Sequence, residues 1–175
     1  MLGPVSTSFR GTRRALAFHG GELMAIDATE VQSILPHRYP FLFIDRVVEV
    51  VPDTSIVAEH LVSMSSSILQ GHFPGHPVLP GVVQVEAMAQ AAVVLAHQSK
   101  RFDPALHHCY FMGIKEAKFR GIVAPGDVLQ IRVTAERLGR VGKFSGECYV
   151  GDQLKSSATI TAVIEARDKG QSKAD

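Results

Sequence analysis

Val82–Ala96 reads VVQVEAMAQAAVVLA, in which only Gln84, Glu86 and Gln90 are polar. A helix of that composition has no face to offer water, so it must run through the middle of the fold. It is too polar and too short to read as a membrane span. An unpaired carboxylate in such surroundings is costly, and a chain that keeps Glu86 there is expected to use it. Fourteen residues earlier, His72 stands in Gly-His-Phe-Pro-Gly-His-Pro, residues 71–77, a loop stiffened by its prolines.

The 175 residues suit one domain with a sizeable core, and the composition is that of an ordinary globule. Net charge is +1, unevenly spread: residues 115–143 hold seven Lys or Arg against three acids. That local excess suits an acidic partner. It lacks the interleaved aromatics of a nucleic-acid stripe, and a solvated set of strand-edge charges is the plainer alternative. Cys109 and Cys148, with no secretory apolar segment near the start, point to free thiols in a reducing, cytoplasmic setting. Residues 1–23 differ from the rest, with Arg10, Arg13 and Arg14 and no acid before Glu22. They read as an extension, either a transit segment or translation from an upstream start with Met24 opening the domain, and the upstream start is preferred.

From Met24 the organisation is readable. Asp27 with Glu30 forms a capping-box pattern that starts a short helix through Leu35, ended by Pro36. Phe41–Val50 is β-like, Pro52-Asp53 is turn chemistry, and Ser55–Val62 reads as the returning strand. The loop of residues 71–81 leads into the apolar helix, which continues to about Gln98. Strands follow from Tyr110–Ile114 and from apolar alternation over 129–135, 144–150 and 158–164, with turns at Pro125-Gly126-Asp127 and Gly151-Asp152. Short intervals between strands imply an antiparallel sheet, and a buried helix needs a cover. The expected fold is α+β, a sheet curled around one helix. The domain is expected over residues 24–167, with 168–175 as a frayed tail.

Pro77, Pro80 and Gly81 lead directly into the helix, whose first turn presents unpaired N–H groups and a partial positive charge. A carbonyl oxygen lying there is polarised as charge develops on it. Glu86 follows about one and a half turns further in. A base, a carboxylic acid and a helix N-terminus together are what removal of a proton next to a carbonyl requires while a β-substituent leaves. Burial is expected to raise the pKa of Glu86, and Gln90, one turn on, faces the same side to hold its carboxyl group.

Other readings of these residues stand beside this one. Glu86 also suits a satisfied structural carboxylate. His72 and His76 have the four-residue spacing of zinc ligands on a helix, but Pro74 and Gly75 prevent the helix. His107, His108 and Cys109 lack a second ligand cluster and read as a polar loop. His37 and Arg38 suit the exit of the first helix, where basic groups are favoured.

Leu35-Pro-His-Arg-Tyr-Pro-Phe41, Gly71-His-Phe-Pro-Gly-His-Pro-Val-Leu-Pro-Gly81, Glu86-Ala-Met-Ala-Gln90 and Tyr110-Phe-Met-Gly-Ile114 resemble the motifs of β-hydroxyacyl-acyl carrier protein dehydratases of the FabZ type, over roughly residues 26–166. The resemblance implies a hot-dog fold, and dimers that pair into hexamers as trimers of dimers. It makes His72 the catalytic base, Glu86 the acid and the Gly81 N–H the group that polarises a thioester carbonyl. Glutamate at the acid position favours the non-isomerising branch, since the isomerising relatives carry aspartate there. Leu79 replaces a common methionine, a mild swap. Tyr110 takes the position of a gate over an acyl tunnel, against the alternative of a core aromatic. Ile114, Phe119 and Val123 suit either tunnel lining or ordinary packing.

The activity implied is dehydration of (3R)-3-hydroxyacyl-acyl carrier protein to the trans-2-enoyl product in fatty-acid elongation, without metal or redox cofactor, because the thioester activates its own α-carbon. The acidic carrier protein is the expected partner, with Lys115, Lys118, Arg120, Arg132, Arg140 and Lys143 steering its docking. No nucleic acid and no membrane are expected. Alternatives are a hot-dog thioesterase and a non-catalytic acyl-binding module. An ionisable group in a dry tunnel argues against the latter.

Overall fold

The computed structural model describes residues 25–167. The readings of residues 1–23 and of the tail 168–175 lie outside them. Nine elements follow in order: α1 Ala28–Ile34, β1 Arg46–Val51, β2 Ser55–Leu61, α2 Ser67–Gln70, α3 Gly81–Gln98, β3 His107–Phe119, β4 Val128–Arg137, β5 Val141–Val150 and β6 Gln153–Ala166. The strands form one antiparallel sheet in the order β1-β2-β4-β5-β6-β3. The α3 helix contacts all six strands, so the sheet curls around it in the hot-dog arrangement.

Local chemistry accounts for the elements. Asp27 caps α1 by accepting the Glu30 N–H at 2.9 Å. At the other end Arg38 binds the carbonyls of Gln32 and Leu35, at 3.1 and 2.8 Å, which would otherwise go unpaired. Inward residues of β4 and β5 alternate as expected: Leu129, Ile131, Val133, Phe144 and Cys148 are buried against α3. Gly146 occupies one of these inward positions because Met88 docks there. A Cβ on Gly146 would lie 2.8 Å from the Met88 sulfur.

Two stretches differ from the sequence reading. Phe41–Asp45 is not strand, and β1 starts only at Arg46. The cause is Gln90: its Oε1 accepts the Phe43 N–H at 2.8 Å and its Nε2 donates to the Phe41 carbonyl at 2.9 Å, so backbone groups that a strand would use are bound to α3 instead. Conversely, His107, His108 and Cys109 are not a polar loop. They begin β3, which pairs with β6 from His107↔Ala166 onward.

The α3 helix is buried as its composition requires, with one departure. Val82, Glu86, Ala89, Val93 and His97 are exposed or half-buried and recur at spacings of four and three, so they share one face. Val82 is 74 % exposed, so the sheet leaves the start of this face open.

Candidate active site

A cavity of about 240 Å³ runs along that face of α3. Glu86, Ala89, Gln90, Val93 and Ala96 form its helix wall, and Tyr110, Phe111, Phe144, Ile160 and Ile164 line the sheet side. The lining is mostly apolar, with Glu86, Gln90 and His37 as polar groups at one end. Small residues on the helix and large ones on the sheet leave an apolar slot suited to an unbranched chain.

Glu86 is held by a defined network. Gln90 Nε2 donates to Glu86 Oε1 at 3.0 Å, and the same amide is locked by Phe41 and Phe43. Burial raises the pKa of Glu86, and the Gln90 hydrogen bond lowers it in partial opposition. The carboxyl group thus keeps its proton to higher pH than an exposed glutamate, which suits a general acid.

His72 occupies a loop fastened by its own backbone. Phe73 and His76 exchange N–H···O bonds of 3.0 and 2.9 Å, Val78 N–H donates to His72 O at 2.8 Å, and Leu79 N–H donates to Val123 O at 2.8 Å. Gly75 has φ +76°, which a side chain would strain. His72 Nδ1 lies 2.8 Å from the Val78 carbonyl. A carbonyl can only accept, so Nδ1 carries a proton, and the neutral ring held this way presents the Nε2 lone pair that a base requires. His76 is exposed, and its backbone closes the turn.

Gly81 opens α3, where N–H groups precede any intrahelical acceptor. The Phe119 ring lies against it: a Cβ at position 81 would fall 2.6 Å from that ring. Only glycine admits this approach, and Phe119 thereby borders the helix N-terminus.

The structure brings Glu86, Gln90 and Tyr110 into one cavity, but His72 is not among the residues that line it. Neither are Ile114, Phe119 or Val123, for which the sequence offered either tunnel lining or ordinary packing. Val123 is fully buried in the core, whereas Ile114 and Phe119 are exposed on β3. That strand lies at the sheet edge and leaves Tyr110, Phe111, Met112 and Ile114 all at least 42 % exposed. His37 is the residue whose placement the sequence reading missed. Arg38 alone serves the helix exit, while His37 turns inward and places Nε2 3.7 Å from Glu86 Oε1. Its position in the Leu35–Phe41 motif was the available signal.

The basic positions divide. Lys115, Lys118 and Arg140 are exposed, and Arg120 donates to Ser157 Oγ at 2.9 Å. Lys143 pairs with Glu136 at 2.6 Å, and Arg132 lies 4.3 Å from the Tyr149 ring centroid, so these two are already engaged. Among the described residues no three His, Cys, Asp or Glu side chains are grouped to hold a metal ion, the His72–His76 and His107–Cys109 alternatives included. No helix among them is long and apolar enough to cross a membrane.

A sheet curled over one helix, with an acidic group in an apolar slot and a histidine loop at the helix start, is a hot-dog arrangement. Comparison with known proteins narrows this. Residues 35–159 match the FabA-like domain family, and the chain belongs to that family. The chain is 43 % identical over 162 residues to the 3-hydroxyacyl-acyl-carrier-protein dehydratase FabZ of Acidiphilium cryptum, covering 92 % of this chain and 98 % of the relative. It is 48 % identical over 140 residues to the FabZ of Rhizorhabdus wittichii, covering 79 % and 89 %. Among solved structures, the dehydratase heterocomplex ApeI:P of Xenorhabdus doucetiae superposes with TM-score 0.66 at 24 % identity, over 79 % of this chain and 91 % of that one. A mutant thioesterase of Pseudomonas aeruginosa does so with TM-score 0.59 at 17 % identity, over 81 % and 95 %. At those identities the two structures share the fold alone.

Proposed function

We propose that this chain is a hydro-lyase that dehydrates (3R)-3-hydroxyacyl-acyl carrier protein to trans-2-enoyl-acyl carrier protein in fatty-acid synthesis. The observation that carries the reading is Glu86, a carboxyl group with raised proton affinity at the end of an apolar slot, in a chain at least 43 % identical to two FabZ dehydratases. The acyl chain lies along α3, with its thioester carbonyl at the Gly81 N–H. His72 Nε2 takes the α-proton, the released electron pair forms the Cα=Cβ bond, and the Cβ–O bond breaks as Glu86 protonates the departing hydroxyl to give water. Proton return from His72 to Glu86 through solvent resets the site.

His72 of one protomer serves Glu86 of a second copy in this reading. Support comes from the cavity, whose lining omits His72, and from β3, an apolar edge strand whose backbone invites pairing. Two such edges joined give the dimer, and three dimers the expected assembly. Tyr110, in the cavity wall on that edge, is the gate. Lys115, Lys118, Arg120 and Arg140 on the exposed surface receive the acidic carrier. The unpaired thiols Cys109 and Cys148 suit a cytoplasmic enzyme.

Incubation with a 3-hydroxyacyl carrier-protein substrate tests the chemistry. Conjugated enoyl thioester, read by ultraviolet absorbance, is the expected product. Free carrier thiol without it would establish hydrolysis instead. Mixing inactive His72→Ala with inactive Glu86→Gln protein tests the shared site. After subunit exchange verified by mass, part of the activity should return, because one site of the mixed dimer is intact. No return would place both residues in one chain.

A further inference from the structure

His37 is anchored by its neighbour. Arg38 donates to the carbonyls of Leu35 at 2.8 Å, of His37 itself at 2.7 Å and of Gln32 at 3.1 Å. This fixes the backbone at position 37 and turns the imidazole into the cavity beside Phe41, with ring centroids 6.0 Å apart. Nε2 then faces Glu86 Oε1 at 3.7 Å, the oxygen to which Gln90 already donates. Nδ1 is buried with no hydrogen-bond partner among the described residues.

The ring's protonation state follows from these surroundings. Burial and then the Arg38 charge hold the pKa of His37 below its ordinary value, so the ring is neutral. A proton on Nδ1 would bury an N–H donor with no acceptor, whereas a proton on Nε2 leaves only an unused lone pair at Nδ1. Orphaned buried N–H donors are the rarer of the two, so the proton belongs on Nε2, facing the carboxyl group. A separation of 3.7 Å is too long for a formed hydrogen bond. Such bonds commonly tighten only in the reacting complex, here as charge develops on Glu86.

We propose that His37 is a positioning residue for Glu86: its Nε2–H and the Gln90 amide both address Oε1, which leaves Oε2 as the oxygen that carries and delivers the acid's proton. This rests on the dehydratase reading above. Once the His37 contact tightens, two donors address one oxygen, so the carboxyl group cannot rotate without losing both, and its anion is stabilised when the proton leaves. The other titratable or charged groups around the ring are Arg38 on its own segment, Glu86 on α3, and Cys109 and Tyr110 across the cavity on β3.

The test uses the full chain in three forms. His37→Phe keeps the packing and removes the donor, and His37→Gln restores a donor near the Nε2 position. His37→Phe should lower kcat by about 10-fold, the scale of one hydrogen bond to a charged group. KM should stay within about twofold, because phenylalanine keeps the bulk of the ring at that end of the slot and the carrier surface is untouched. The 13C titration of the Glu86 carboxyl, assigned by its absence from Glu86→Gln, should move to higher pH in His37→Phe and return in His37→Gln. In the wild-type protein, 15N-labelled histidine should show position 37 neutral and protonated on Nε2. Wild-type kcat in a folded His37→Phe, an unmoved Glu86 titration, or a proton on Nδ1 would each overturn the proposal. If His37→Phe does not fold, the wild-type tautomer and His37→Gln still decide it. Wild-type protein that makes no enoyl product sinks the dehydratase reading separately, since the tautomer and titration need no turnover.

Discussion

Gln84 and Glu86 stand two residues apart on α3, both polar in an apolar run, yet they finish in opposite situations. Residues two apart on a helix project about 200° from each other, so one faces the sheet when the other faces the cavity. Gln84 is 3 % exposed, with its Oε1 accepting the Ser156 hydroxyl at 2.7 Å and its Nε2 directed at the Leu79 carbonyl at 3.4 Å. Both ends of its amide are used inside the protein. Glu86 has one oxygen held by Gln90, and its other, Oε2, has no protein partner among the described residues. The difference separates a polar group that ties the core together from one kept available for chemistry. What distinguishes them is whether hydrogen-bonding capacity is left over, which the placement of each side chain decides.

The comparison breaks first on activity. Glu86→Gln should reduce kcat by about 10² to 10⁴-fold, the usual loss for a positioned acid, with a denaturation midpoint no lower than wild type. His72→Ala should fall in the same range. Near wild-type turnover in either, measured by enoyl absorbance on protein free of host dehydratase, would remove that residue from the mechanism.

Gln84→Leu should show the reverse, with stability lost and the chemistry of any folded protein kept. The substitution strands the Ser156 hydroxyl, which is fully buried, so urea unfolding should register a loss of about 1–3 kcal/mol. A smaller loss would mean that water or a rotated Ser156 replaces the amide, and that Gln84 is less structural than its contacts suggest.

Stability against pH sharpens the contrast further. Glu86 binds its proton more tightly folded than unfolded, because burial raises its pKa above the ordinary carboxylate value of 4.5. Its contribution is therefore full at low pH and is lost as pH climbs from the unfolded value through the folded one. Relative to wild type, Glu86→Gln should gain stability across that window, whereas Gln84→Leu should run parallel to wild type. Unfolding midpoints over a pH series would show Glu86→Gln running parallel to wild type if the burial effect is absent.

The smallest effects belong to the surface. Charge reversal at Lys118 or Arg120 should raise KM several-fold for carrier-bound substrate at low salt, and leave a short pantetheine analogue unaffected. Equal effects on both substrates would show that the charges support β3 rather than the carrier, a reading that the Arg120–Ser157 hydrogen bond makes concrete.

Much of the molecule was legible in the chain because the relevant forces are local or strongly patterned. The apolar run of α3, the Asp27 cap, the turns at Pro125-Gly126 and Gly151-Asp152 and the alternation of β4, β5 and β6 all follow from side-chain periodicity and backbone preference. Together they determined a sheet curled on one buried helix. The histidine loop and Glu86 were also visible as chemistry, since proline-bound histidine and a carboxylate in an apolar run are conspicuous without coordinates.

Tertiary structure decided what depends on contacts far apart in sequence. Phe41–Asp45 has strand composition but is taken out of the sheet by Gln90, 47 residues beyond Phe43. Ile114 and Phe119 share the hydropathy of core residues, yet β3 is an edge, so the fold leaves them uncovered. His37 is a helix-exit residue by sequence and a neighbour of Glu86 in space, because the Arg38 hydrogen bonds turn the chain at that point. Composition and period govern which segments become helix or strand. Which polar atom meets which is fixed only when the sheet closes around α3, because hydrogen bonds select partners by distance and direction rather than by order along the chain.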